Sequence, residues 1–148
     1  MSRRADSLRV WASCLEGRRV YYQQTEVWKR AMQVAREVYR VVAFMPAEER
    51  FAARPQITRA AVSIACNIAE GWTRESSREK PQFLSIAQGS AAELDTLLIL
   101  GADVGWMPPD EVANVRRLLD EVSRMLTTMR RNRRAADKSP RQGGSRKA

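Results

Sequence analysis

Between Asp110 and Arg131 the residues Val112, Val115, Leu118, Leu119, Val122, Met125, Leu126 and Met129 recur at intervals of about three and four. Only a helix gathers such a series on one face; a strand would scatter it over both. At 1.5 Å per residue the segment would span about 33 Å, so its apolar stripe needs packing partners along its whole length. Those partners must come from a chain of 148 residues, room for one domain but not for two ordinary ones.

Three further stretches supply them. From Thr25, a fitting N-cap, Val27, Ala31, Val34, Val38 and Val41 alternate spacings of four and three, and Trp28, Met32, Ala35, Tyr39 and Val42 widen the stripe. Pro46 ends this helix near Phe44, and AEERF adds one further turn. Pro55 suits a first helical position, and QITRAAVSIACNIAEG runs from it to a closing Gly71. A third helix is predicted from about Glu79 to Gly101, with Pro81 harmless in its first turn and Phe83, Ile86, Ala87, Leu94, Leu97 and Leu98 inward. GADVGWMPPD then leads to the fourth helix, whose Asp110 and Glu111 complement the positive end of its dipole. The expectation is an all-α, antiparallel four-helix bundle over residues 22–130. An N-terminal extension at 1–21 precedes it, and a basic tail at 131–148, without an apolar face, is expected to be disordered.

Composition narrows the chemistry. There is no histidine, which removes His-based triads, dyads and zinc sites. Nothing resembles an acidic metal loop, so no metal and no cofactor is expected. Cys14 and Cys66 form neither a CxxC nor a disulfide framework; they read as inert thiols and suit a reducing cytoplasm. No run approaches the ~18 to 20 apolar residues of a membrane span, and the first residues lack the apolar region of a signal peptide. The expected location is cytoplasmic, without a membrane partner.

Small residues dominate the second predicted helix. Ala60, Ala61, Ser63, Ala65, Ala69 and Gly71 permit close approach of another helix, and Ile57, Val62 and Ala65 point away from the Ile64/Ile68 face, where a second subunit would cover them. Along the same helix Arg59, Ser63, Asn67 and Glu70 follow at spacings of four, four and three, which aligns a guanidinium, a hydroxyl, an amide and a carboxylate on one face. Gln82, Ser90 and Glu93 in the next helix are possible mates. An enzyme would use Glu70 as base and Ser63 or Ser90 as nucleophile. A serine nucleophile needs an adjacent base and an oxyanion hole, and this face offers neither His nor Lys. The stronger reading is a structural polar network of Arg59, Ser63, Asn67, Glu70, Ser90 and Glu93, with Arg59 and Asn67 satisfying Glu70 or Glu93 and fixing register.

The net charge of +9 is uneven. Residues 1–22 carry five basic and two acidic side chains, residues 130–148 eight basic and one acidic, and the stretch between is nearly neutral. Cationic ends on a neutral body suggest an anionic partner. Arg117, Arg124 and Arg131 are spaced by seven, with Arg116 and Arg130 alongside; Arg133 and Arg134 continue into the tail, and Arg74, Arg78 and Lys80 cluster after the second helix. Guanidinium rows suit phosphates, and these ten residues are the candidate nucleic-acid contacts. The bland alternative is a solvated face with local pairs such as Arg116–Asp120 and Arg117–Glu121. Trp28, Trp72 and Trp106 can stack on bases, but each flanks a predicted helix and burial there is the commoner fate. No RNP motif, KH loop or zinc knuckle is present, so binding would be electrostatic rather than base-reading.

The run from Arg59 to Gly71 fits RxAxSIxxNIAEG, and Ser76/Ser77 to Leu94 fits SxxEFxxFLxIAxGSxxEL, with Pro81–Gln82–Phe83 where an acidic–aromatic pair is usual. With TEVWKRAMQVAREVY before them, these motifs resemble the four-helix-bundle proteins encoded in bacterial 23S rRNA intervening sequences and their relatives, the accessory variability determinants of diversity-generating retroelements. The likeness covers about residues 22–130. It implies a bundle assembling as a ring-like homo-pentamer and, in the retroelement branch, binding to a reverse transcriptase and its template RNA. The leading expectation is a non-catalytic RNA-binding accessory protein; an oligomeric scaffold working through protein–protein contacts comes second.

Overall fold

The computed structural model describes residues 21–73 and 79–138, all helices and connections. Most of the expected N-terminal extension, the first arginines and Cys14 included, lies outside the described residues, as do Arg74, Arg78 and the tail beyond Lys138. A short helix α1 (Tyr21–Gln24) leads into α2 (Glu26–Val41). Two 3-10 turns, Val42–Phe44 and Ala47–Phe51, follow, then α3 (Ala53–Thr73), α4 (Lys80–Asp103) and α5 (Pro109–Lys138).

The four long helices contact one another in a closed cycle, α2 on α3, α3 on α4, α4 on α5 and α5 back on α2. With short connections this is the up-and-down bundle that the periodicity predicts. Its axis is filled by Val34 and Val38 from α2, Ile57, Ile64 and Ile68 from α3, Leu84, Leu94 and Leu98 from α4, and Val115, Val122 and Leu126 from α5. Each such side chain removed from water is worth about 1.5–3 kcal/mol.

Local chemistry sets the helix ends. The Thr25 hydroxyl accepts from the Trp28 amide at 3.3 Å, as expected of the N-cap. α4 ends in a Schellman arrangement: the Trp106 amide donates to the Gly101 carbonyl at 2.8 Å and Gly105 donates to Ala102 at 3.1 Å. Gly105 makes that turn possible with φ of 77°, a conformation other residues adopt only with strain.

Five expectations need correction. α3 begins at Ala53, so Pro55 sits within its first turn rather than opening it. Gly71 does not close α3, which continues to Thr73; a Cβ at Gly71 would stand 3.1 Å from Phe83 Cβ, so glycine is there for helix proximity rather than capping. Ile86, expected inward, is exposed, because the buried series of α4 runs Leu84, Ala87, Ala91, Leu94, Leu98 and leaves Ile86 on the far side. α5 extends eight residues past Arg130, through part of the segment expected to be disordered. Nor do Ile57 and Ala65 await a second subunit: both are buried within the chain, and only Val62 of that trio is exposed.

α4 is long and apolar enough, by length and composition, to cross a membrane. Part of that apolarity is the bundle core, but Ile86, Ile99 and Leu100 lie on its outer face.

Candidate nucleic-acid interface

The up-and-down path brings the C-terminal ends of α3 and α5 to the same end of the bundle as the N-terminal ends of α2 and α4. Lys80 of α4 holds its ammonium 5.4 Å from the centre of the Trp72 ring of α3. Its pKa lies below the ordinary lysine value, first because burial strips water from the charge and second because the Arg133 guanidinium repels it. Lys80 and Arg133, more than fifty positions apart in sequence, are thus within electrostatic range of one another. Arg130, Arg131 and Arg134 stand on the same end of α5, and neither they nor Arg133 ion-pairs with any acidic side chain among the described residues.

The remaining candidate arginines behave differently. Arg116 donates to both carboxylate oxygens of Asp95 on α4, at 2.7 and 3.4 Å, and that hydrogen bond, helped by the Asp95 charge, raises its pKa against the opposing effect of burial. Arg117 donates to Glu121 at 3.2 Å, while Glu121 also receives Arg30 of α2 at 3.1 Å. Arg124 pairs with Asp120 at 3.0 Å. Of the local pairs expected from spacing, Arg117–Glu121 is present; Arg116 reaches across to α4 instead, and Asp120 serves Arg124. The middle of the α5 stripe is thus charge-compensated, and the arginines of α5 without an ion pair among the described residues gather at its C-terminal end. Arg74 and Arg78, expected in the same cluster, lie outside the described residues.

The polar seam of α3 separates in the same way. Ser63 Oγ lies 2.9 Å from Ser90 Oγ across the α3–α4 contact. Asn67 Nδ2 donates to the Ser63 carbonyl at 2.8 Å and to Ser63 Oγ at 3.0 Å. Arg59 and Glu93, expected in this network, are exposed and make no ion pair among the described residues. Glu70 is exposed too, and its carbonyl accepts from the Thr73 hydroxyl at 2.9 Å. Small residues draw α3 and α4 so close that only hydroxyls and one amide fit between them. The long charged side chains are displaced to the rim. Each serine thus has a hydrogen-bond partner that is not a base, and no cluster of three or more acidic or cysteine side chains able to hold a metal lies among the described residues.

All three described tryptophans pack partly against the core. Trp28 meets Tyr22 edge-on at 5.6 Å between ring centres. Trp72 differs in that it also walls an open pocket of about 450 Å³ between α2, α3 and α5. Nothing in the sequence announces that pocket, since its lining comes from three helices.

A family model described as 23S rRNA-intervening sequence protein matches residues 23–128. Among solved structures, a protein of unknown function from the S23 ribosomal protein family of Bacteroides thetaiotaomicron is similar in fold, with a TM-score of 0.65 and 22% identity over 70% of this chain and 97% of that one. No curated protein matches the chain.

Proposed function

The chain belongs to the 23S rRNA-intervening sequence protein family, and on that premise we propose that it is a non-catalytic RNA-binding accessory protein that works as a homo-oligomer. The observation that carries this reading is the group of cations, without an ion pair among the described residues, where α3, α4 and α5 meet, with Lys80 over the Trp72 ring and within electrostatic range of Arg133. Like charges packed together cost free energy in the isolated chain and are relieved by a polyanion. A reverse transcriptase of a diversity-generating retroelement is the protein partner this reading takes from the resemblance; RNA is the partner the charge supports. The test is RNA binding by the full chain across a salt series. Replacing Arg130, Arg131, Arg133 and Arg134 with Gln reduces the slope of log K against log salt by about 3, at ~0.7 per lost contact to a single strand. An unchanged slope rules this end of the bundle out as the interface.

A second reading, an oligomeric scaffold, is favoured by two unlike apolar faces. One is a groove of about 440 Å³ between α2 and α3, walled by Met32, Tyr39, Val62 and Cys66 with Arg36 at its edge. The other is the outer face of α4, with Ile86, Ile99 and Leu100 exposed beside Glu93. Copies joined through dissimilar surfaces close into rings when the rotation allows, and the resemblance sets the number at five. Both Arg36→Glu and Glu93→Arg lower the mass seen by light scattering, and the double reversal restores it. A chain that assembles but never binds RNA is the scaffold alone.

A further inference from the structure

The pocket beside Trp72 lies next to the cation cluster, and its walls are suited to something flat. Val27, Met125 and Met129 supply apolar and thioether surface, Trp72 an indole, and Thr25, Arg124, Thr128 and a Glu26 paired with Lys29 a polar edge. Its volume of about 450 Å³ falls within the ~300–1,000 Å³ range of small-molecule sites. The Thr128 hydroxyl donates to the Arg124 carbonyl at 3.0 Å, which leaves its oxygen free to accept. Arg124 is held only by an exposed pair with Asp120, the kind of pair that contributes little and exchanges readily. Over Trp72 stands Lys80, and Arg133, one turn past Met129 on α5, is within electrostatic range of it. An apolar slot bounded by an aromatic ring and followed by cations is the pattern that holds a base and its phosphate. The groove between α2 and α3 also holds an aromatic ring and guanidinium groups, in Tyr39, Arg36 and Arg40, but it does not adjoin Lys80 and the arginines at the end of α5.

We propose that this pocket receives one unpaired nucleobase of RNA, stacked against Trp72 and the methionine thioethers, with the adjoining phosphate on Lys80 and Arg133. The proposal rests on the RNA-binding reading above and deepens it. An A-form duplex offers no free base face, so the pocket selects bulges, loops and single strands over paired RNA. Lys80, already over the indole, bridges ring and phosphate without leaving its place. An anion there favours the charged form, opposing the effect of burial and of Arg133.

The experiment titrates the full chain into two hairpins of equal length, one fully paired and one carrying a single bulged 2-aminopurine. The bulged hairpin binds about tenfold more tightly, within what one stacked base is worth, and its fluorescence is quenched. Thr128→Trp, at an exposed position, fills the pocket and removes the preference while leaving the salt slope intact; Trp72→Phe keeps it. Equal binding of both hairpins with a steep salt slope overturns the pocket and leaves the RNA reading standing. Absence of salt-dependent binding to either hairpin overturns both. An unquenched base, with an amphipathic apolar peptide occupying the slot instead, assigns the pocket to a protein partner and likewise overturns the proposal.

Discussion

Gly71 sits at the corner where α3 meets the first turn of α4, and substituting it measures how tightly the two helices pack. In an ordinary helix interior Gly→Ala stabilises by about 0.8–1.0 kcal/mol. At position 71 the new methyl would lie 3.1 Å from Phe83 Cβ and 3.7 Å from the Lys80 carbonyl oxygen, against a comfortable carbon separation of about 3.5–4.0 Å. The contact falls on a Cβ tied to the α4 backbone, so relief requires the first turn of α4 to move. Overpacking of this kind costs about 1–3 kcal/mol, which exceeds the propensity gain and leaves Gly71→Ala destabilised by about 1 kcal/mol. Gly89→Ala is the internal control. Nothing lies within 4 Å of the methyl it would add, so it should be stabilised by about 0.5–1 kcal/mol. Urea unfolding followed by circular dichroism, at a protein concentration where all three chains have the same mass, reads both. A Gly71→Ala chain as stable as Gly89→Ala would refute the reasoning, for it would mean the α3–α4 corner yields freely.

Two further outcomes test the polar contacts. Ser63→Ala and Ser90→Ala, combined in a double-mutant cycle, should show a coupling of about 0.5–1.5 kcal/mol, the net worth of one hydrogen bond; zero coupling removes the bond between the helices. Lys80 makes stability depend on pH. Its folded pKa lies below its ordinary value of 10.5, so between the two the unfolded chain binds more protons and stability rises with pH. Lys80→Gln lacks this slope, and unfolding measured from pH 8 to 10.5 should show its advantage over the unaltered chain shrinking as pH increases. A gap that widens reverses the sign and the cause assigned to it.

What the sequence reveals here depends on how far apart the interacting residues lie. The Thr25 cap, the stripes of α2 and α5, and the Arg117–Glu121 pair follow from spacings of three and four, and all are present. Arg116 pairs with Asp95, twenty-one residues away, and no periodicity within α5 exposes that partner. Gly71 misleads for the same reason, since glycine near a polar segment looks like a cap until Phe83 is placed beside it. The residues after Arg130 lack an apolar face, which argues against a new helix but not against continuing an old one. Propagation adds a hydrogen bond per residue without a fresh nucleus, and Arg and Ala are good helix formers. In the α3 seam, side-chain type is legible but reach is not: the sequence aligns Arg59 with Asn67, and only the closeness of α3 and α4 decides that the guanidinium stays outside.

The same distinction bears on the cations at the end of α5. Positive side chains in a final helical turn are favoured by the dipole, typically by 0.3–1 kcal/mol each, and the effect fades beyond that turn. That accounts for one or two residues near Lys138. It does not account for Arg130 and Arg131, two turns earlier, nor for Lys80, which stands at the N-terminal end of α4 where the dipole disfavours a cation. Lys80 is placed against its own helix dipole, against Arg133 and against burial at once. Among the described residues its contact with the Trp72 ring opposes those penalties, and a cation–π contact contributes about 0.5–2 kcal/mol. An anion beside such a side chain lowers that cost, and under the RNA-binding proposal a phosphate would be that anion.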